Sequence, residues 1–360
     1  MNKSYYSLGL MSGTSGDGID ASIIKSDGQT QYEAFLDKYF EYNLRIQKNI
    51  HTLKDKIANN PQKLMEFSKE INSLEKSITL SHAEAVNNIL KDTKKNITFV
   101  GFHGQTILHS PQHNLTKQLG DGKLLSQLTK KTVIYDFRQN DLKNGGQGAP
   151  LTPIFHKLIS KKIKIDPPLC VLNLGGIANI TAIVPDENSA LVSCDIGPGN
   201  CLIDEWVRKK TEKKYDKDGS IAKLGRINVA TLNRALDNHD NLKTKNILSY
   251  DAKDFDVNFV RELSLEDGAA TLADFTGTVL GNGISDFLNK LSNEPWKILV
   301  CGGGRKNLAL MESIKKKIAK KNTIKNIDDY GIDGDFVESQ AFAYLAIRSF
   351  LKLPISFPKT

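Results

Sequence analysis

Twice in this chain, about 160 residues apart, a β-rich run stops at a Gly-rich turn and returns as a second β-rich run. The first pair spans residues 5–11 and 19–25, around the turn 12–18. The second spans 169–174 and 179–184, around 175–178. A hairpin connection ordinarily needs two to five residues, with one or two glycines. Ser12-Gly13-Thr14-Ser15-Gly16-Asp17-Gly18 is longer than that and rich in donors. Its backbone amides and hydroxyls suit an anion such as phosphate. An ordinary hairpin turn is the alternative. It is not a Walker-type loop, because GK[ST] is missing and a strand, not a helix, follows.

Strand-like and helix-like segments alternate along the rest of the chain. Leu64, Phe67, Ile71, Leu74 and Ile78 recur at three- and four-residue steps, predicting helix within 43–93. A strand over 97–102 is expected to end at His103-Gly104. Another, Ala190 to Cys194, leads into the turn 195–200. A third, 297–301, leads into Gly302-Gly303-Gly304 and a helix over 307–320. The class is therefore α/β, and 360 residues suit about two domains. A duplicated hairpin-and-helix plan predicts two related lobes facing each other, with residues 144–150 as the crossover. Two Gly turns at matching places would clamp one polyphosphate.

Composition narrows the function classes. Apolar residues make up 39% and charged residues 25%, and no stretch approaches the roughly 18 apolar residues of a membrane helix. The best candidate, 168–184, is interrupted by Asn173 and Asn179. The N-terminus lacks the continuous apolar segment of a signal peptide. The four cysteines, Cys170, Cys194, Cys201 and Cys301, form no CxxC pair, so buried, reduced thiols in a cytoplasm are expected. The net charge of +8 permits a polyanionic partner. Its lysines, however, are dispersed over amphipathic helical stretches such as 312–321, which reads as solvated faces and no nucleic-acid partner.

Further side chains stand where chemistry could sit. Asp195 lies at the expected end of a strand, where α/β sheets place ligands; a general base and a helix N-cap are both open readings, although Asn200 is better placed to cap. Gly302, Gly303 and Gly304 strip three side chains from a helix N-terminus, where something flat or anionic could approach. His103, with His109 and His113, has irregular spacing for a metal; hydrogen bonding to a substrate or loop suits it better. Arg138 can fork onto a carboxylate or form a surface ion pair. Glu338 precedes an apolar helical run, as a first-turn acid or a site residue.

Taken together, GLMSGTSGDGID (9–20), FHGQTILHSP (102–111), DFRQNDLKNGGQGAPL (136–151), VLNLGGIANIT (171–181), DIGPGN (195–200), DKDGSIAKLG (216–225), CGGGRKN (301–307) and ESQAFAYLA (338–346) stand in the order seen in the anhydro-N-acetylmuramic acid kinases. The chain resembles that family over nearly its whole length. The family belongs to the superfamily of sugar kinases, Hsp70 and actin.

The resemblance implies a two-lobed actin-like (ribonuclease H-like) α/β fold around a central cleft. Residues 1–137 with about 350–360 would form the first lobe, and 138–349 the second. It implies ATP and Mg²⁺ as cofactors, with the Mg²⁺ ligands unassigned, and a cytoplasmic homodimer. Water would open the 1,6-anhydro ring of anhydro-N-acetylmuramic acid while O6 takes the γ-phosphate. Carried over by motif, Gly13, Thr14, Ser15, Gly16, Asp17, Gly18, Ile19 and Asp20 would hold the ATP phosphates, with Gly175 and Gly176. Gly302, Gly303 and Gly304 would lie against adenosine. Asp195 would activate the water; His103, Arg138 and Glu338 would bind the sugar. The chain departs from the usual pattern at Gly16, Lys143, Cys194 and Ser339.

Overall fold

The computed structural model describes residues 3–58, 60–185, 191–243, 255–357 and 360. The chain divides into two compact units, Met1–Lys164 with Phe336–Thr360, and Ile165–Asp335.

In the first unit β1 (Tyr5–Ser12), β2 (Gly18–Ser26) and β3 (Tyr32–Glu41) form a meander, followed by α1 (Leu44–Ile57), α2 (Lys63–Glu66) and α3 (Ser68–Lys91). Then come β4 (Phe99–Ser110), β5 (Leu115–Leu119), α4 (Gly122–Thr129), β6 (Thr132–Tyr135), α5 (Gln139–Lys143) and α6 (Pro153–Lys162). The sheet order is β3-β2-β1-β4-β5, with β6 also on β4. β4 runs parallel to β1 and to β6.

The second unit repeats the plan. β7 (Leu169–Leu174), β8 (Ile177–Ile183) and β9 (Leu191–Pro198) form its meander, and α7 (Cys201–Lys210), α8 (Val229–Lys243) and α9 (Leu265–Leu291) follow. β10 (Lys297–Cys301), α10 (Leu308–Lys317) and β11 (Thr323–Asn326) close it, in the order β11-β10-β7-β8-β9. The chain then returns to the first unit as α11 (Val337–Phe350). Each unit thus carries the ribonuclease H-like strand order, and the chain is an α/β protein of the actin-like class.

The central strands explain themselves by burial. β1 is buried continuously from Ser7 to Ser12, as a strand covered on both faces must be. α11 packs on β1, β2 and β4, and α3 packs on β2 and β4. Two glycines let α11 come down onto the sheet backbone. A Cβ at Gly9 would stand 1.9 Å from Ser339 O, and one at Gly101 would stand 2.2 Å from Phe342 O. Ser339 fits this contact because it is small, and its Oγ meets Ser22 Oγ at 2.6 Å.

Several expected boundaries move. The units change over at 164/165 and 335/336, not at 137/138 and 349/350. α11 belongs to the first unit because its buried face is the β1–β2–β4 sheet. The crossover is therefore not 144–150, which lies in the first unit between α5 and α6. β4 does not stop at His103-Gly104. Gly104 takes φ 77, and the strand goes on to pair Gln105 with Leu119 of β5. β9 extends to Pro198, so Asp195 lies inside the strand; Ala190, its expected start, falls outside the described residues. The second turn is only Gly175-Gly176, since β8 begins at Ile177. A 3₁₀ turn, Gly303–Lys306, precedes α10, and Glu338 lies within the first turn of α11. All four cysteines are unbridged, but Cys194 and Cys201 are only partly buried.

Candidate active site

In the first unit the β1–β2 turn is held by its carbonyls. Gly13 O accepts from Gly16 N at 3.1 Å and from Gln105 Nε2 at 2.9 Å. Thr14 O accepts from Lys54 Nζ at 2.8 Å. Asp17 O accepts from Tyr42 N at 2.9 Å and Gln47 Nε2 at 3.2 Å. Ser12 Oγ lies 2.9 Å from Gly18 O and 2.7 Å from Gln105 Oε1. Carbonyl oxygens repel phosphate, so occupying them with protein donors favours an anion at the turn. Lys54 also brings a cation to it.

Individual positions in the turn differ in freedom. Gly16 has φ 62, and a Cβ there would meet Ile50 Cγ2 at 2.9 Å. The departure at Gly16 therefore suits a left-handed residue packed on α1. Gly13 is open, its nearest neighbour to a Cβ being Ser15 Oγ at 3.9 Å. Thr14 and Ser15 are exposed, and Ser15 Oγ donates to Asp17 Oδ1 at 2.6 Å. Ile19 is 1% exposed, so its side chain belongs to the core and not to a phosphate site.

His103 and Arg138 form one assembly. Arg138 donates through Nε at 3.1 Å and Nη2 at 2.9 Å to His103 Nε2, and through Nη1 to Gly148 O at 2.7 Å. His103 Nδ1 lies 2.8 Å from Gly104 O. That pattern requires the proton on Nδ1 and a bare Nε2. Burial, reinforced by the guanidinium, pushes the imidazole well below its usual range, so it stays neutral. With both nitrogens engaged, His103 holds Arg138 in place. Asp141 fixes the neighbouring loop, accepting from Gly148 N at 2.7 Å and Ser356 Oγ at 2.6 Å. It is not a partner of Arg138 in these contacts. Lys143 is exposed at the end of α5.

Glu338 stands near the same guanidinium. Burial raises its carboxyl above the usual range, and Arg138 pulls it back. Among the described residues no hydrogen-bond partner of this carboxylate is found. A neutralisable acid beside a fixed cation can accept hydroxyls or exchange a proton.

In the second unit the two turns lock together. Gly175 O accepts from Asn200 N at 2.8 Å, and Gly176 O from Gly199 N at 2.9 Å and Cys201 N at 3.3 Å. A Cβ on Gly199 would stand 2.1 Å from Gly175 O. These carbonyls thus take the first amides of α7. Asn200 is helical, with no side-chain capping bond, which corrects the expectation that it caps. Asp195 is not a cap either: it pairs across the sheet with Asn179. The register shifts beside that pair, between Ala178 and Asn179, and Asn179 Oδ1 is buried without a hydrogen-bond partner among the described residues.

The three glycines after β10 have unequal reasons. A Cβ at Gly302, where φ is 80, would stand 2.4 Å from Asn173 Oδ1, and one at Gly304 would stand 2.7 Å from Asn200 Oδ1. Both are required by packing, whereas Gly303 is open, 3.9 Å from Asn200 Nδ2. Arg305, which the sequence reading passed over, anchors this turn. It is 3% exposed, bidentate to Asp328 at 2.6 and 2.7 Å, and reaches Asp335 Oδ1 at 2.5 Å and Gly302 O at 3.0 Å.

The expected site residues therefore fall into two sets. The turn 13–20, His103, Arg138 and Glu338 belong to the first unit; Gly175, Gly176, Asp195 and Gly302–Gly304 belong to the second. Gln105, Lys54, Gln47 and Arg305 are the supporting residues that sequence reasoning missed. Gln105 lay inside the quoted FHGQT segment; Lys54 and Gln47 carry no local signal.

Comparison with known proteins gives a consistent result. The family model for anhydro-N-acetylmuramic acid kinase matches residues 5–360. A protein of that name from Pelagibacter ubique is 55% identical over 360 residues, covering 100% of this chain and 96% of its own. One from Zymomonas mobilis is 39% identical over 98% of this chain and 95% of its own. One from Rhodospirillum rubrum is 38% identical over 99% and 90%.

Proposed function

This chain belongs to the anhydro-N-acetylmuramic acid kinase family and is a kinase, and we propose that it opens the 1,6-anhydro ring of anhydro-N-acetylmuramic acid and phosphorylates O6 at the expense of ATP. The observation that carries this reading is the family match over residues 5–360. The products are N-acetylmuramic acid 6-phosphate and ADP, and the reaction serves peptidoglycan recycling in a cytoplasmic homodimer.

The bookkeeping of atoms is simple. Water adds its oxygen to C1 and gives a proton to Asp195. The C1–O6 bond breaks, and O6 takes the γ-phosphoryl group. Asp195 acts as the base, as a carboxylate does for water in inverting sugar hydrolysis. O6 needs no general acid, because the phosphoryl group captures it. Arg138, oriented by His103, takes the lactyl carboxylate, for which a planar fork is suited. Glu338 accepts sugar hydroxyls.

The β1–β2 turn supports nucleotide binding, because its carbonyls are occupied and Lys54 is at hand. Gly303 offers open backbone for the adenosine. No cluster of three or more His, Cys, Asp or Glu suited to a metal is found among the described residues. Mg²⁺ would arrive on the nucleotide, since it keeps waters and needs only one or two carboxylates beside the phosphates. Asp17 of the turn and Asp20 at the start of β2 would supply them. When bound, the ion neutralises charge on the transferring phosphoryl group.

The test is mass analysis of the product formed from the anhydro sugar, MgATP and heavy-oxygen water. One heavy oxygen in the sugar and none in its phosphate is expected. Absence of a phosphorylated sugar, or label only in free phosphate, would overturn the reading.

A further inference from the structure

The first unit holds a cavity of about 290 Å³ at the end of β2 away from the Gly-rich turn. Gln29 and Thr30 of the β2–β3 turn, Lys157 and Lys161 on α6, and Tyr344 and Arg348 on α11 line it. The nine residues of β2 separate it from the turn by roughly 25–30 Å, at ~3.3 Å per residue.

Its lining is built for an anion. Arg348 is 7% exposed. Its Nε donates to Pro354 O at 2.7 Å, and its Nη1 to Gly28 O at 2.8 Å and to the Tyr344 hydroxyl at 3.3 Å. Nη2 takes no part in these bonds and is not fully buried, which leaves it for a ligand in the cavity that Arg348 lines. Lys157 and Lys161 stand one helical turn apart on the same face of α6. Among the described residues no carboxylate lines the cavity. The nearby buried Asp27 is committed to its own turn, accepting the amides of Gln29, Thr30 and Gln31 at 2.8–2.9 Å.

We propose that this cavity is a second anion site, separate from the nucleotide and sugar sites, for a phosphomonoester of monosaccharide size. Three cations on two helices suit a dianion with three acceptor oxygens, whereas a carboxylate would be served by a guanidinium fork alone. The aliphatic side chains of Leu158 and Leu353 and the Tyr344 ring offer a surface for the body of the ligand. The volume lies just below the ~300–1,000 Å³ of small-molecule sites, which favours a monosaccharide phosphate over a nucleoside triphosphate. α6 is the last helix before the chain leaves the unit, and α11 is the first after it returns. A phosphate held by both ties together the helices that flank the two chain crossings.

The experiment is calorimetry on the full chain saturated with ADP, so that nucleotide phosphates already fill the kinase site. Glucose 6-phosphate is the probe, with glucose and inorganic phosphate as separate arms. The expected result is binding of glucose 6-phosphate but not of glucose. Replacing both lysines (Lys157→Ala with Lys161→Ala) should weaken it about tenfold or more, with ADP affinity unchanged. Arg348 is left intact because its backbone contacts hold the fold. No heat with the wild type at millimolar probe, or equal affinity in the double variant, would overturn the site. Inorganic phosphate binding as tightly as the sugar phosphate would overturn the size assignment.

Discussion

Arg138 donates from two of its nitrogens to the single bare ring nitrogen of His103, at 3.1 and 2.9 Å. A histidine serving as acceptor must stay unprotonated, and burial beside a cation ensures that it does. The ring works on the guanidinium, and through it on whatever the guanidinium binds. His103→Ala should therefore mimic a partial loss of Arg138, raising the sugar KM more than it lowers kcat. His103→Gln, which keeps an acceptor, should recover part of the loss. Equal KM in wild type and His103→Ala would mean the pair is only structural.

Arg138 itself is best tested with two sugars. Arg138→Ala should weaken binding of the anhydromuramic sugar by about 1.5–3 kcal/mol if the contact is charge-assisted. It should do much less to the counterpart lacking the lactyl group. Glu338→Gln should lower turnover on both. Matching losses for Arg138→Ala on the two sugars would show that this residue does not read the lactyl carboxylate.

Asp195→Asn keeps the size of the side chain and removes its basicity. Turnover should fall by about 10²–10⁴, with nucleotide affinity close to wild type. A variant keeping more than half of the wild-type rate would assign Asp195 a structural role in the β8–β9 pair. Asn179 Oδ1, directly opposite and without a partner among the described residues, makes Asn179→Ala a useful companion, expected to lower turnover less.

Acid should destabilise the protein below neutrality, and the sign follows from its histidines. Burial depresses His82 to about 4, His156 to about 3, and His103 well below the ordinary value. An unfolded histidine titrates near ~6.5. Their contribution is thus fully present above that pH. It falls as pH drops, because only the unfolded chain takes up the protons, and it goes on falling until the folded values are passed. Each contributes up to ~1.4 kcal/mol per pH unit. Glu338, whose carboxyl is raised, offsets a part. Thermal melts should show a lower Tm at pH 5.5 than at 7.5, with a shallower slope in His82→Met. A flat profile would contradict neutral buried histidines.

How far the sequence could be read depended on how local each signal was. The two hairpins were legible because turn chemistry and strand alternation are local. The unit boundaries were not, because α11 joins the first unit through Gly9 and Gly101, far back in the chain. The glycines of 302–304 looked alike in sequence. Packing against Asn173 and Asn200 requires two of them, and only Gly303 stays open. His103 reads from the sequence as bonding a substrate or a neighbouring loop, and its partner, Arg138, could not be inferred from spacing. Arg305 carries no local signal, since its three aspartates follow more than twenty residues later.

The Gly-rich turn offers a contrast between two of its own glycines. Gly16 is left-handed at φ 62, with Ile50 Cγ2 2.9 Å from where a Cβ would sit. Alanine there costs the left-handed conformation, about 1–2 kcal/mol, and presses on α1. Gly13 has neither constraint: a Cβ would find only Ser15 Oγ, at 3.9 Å. Gly13→Ala should leave stability within about 0.5 kcal/mol of wild type, as surface changes usually do. If a phosphate lies against the Gly13 backbone, the added methyl stands in its way and the KM for ATP rises several-fold. Gly16→Ala should lower stability first, with ATP binding reduced as a consequence. Denaturation curves and ATP titrations on the two variants separate these effects. An unchanged ATP KM in Gly13→Ala would remove that position from the nucleotide site, and a Gly16→Ala variant as stable as wild type would show that the turn relaxes around a side chain.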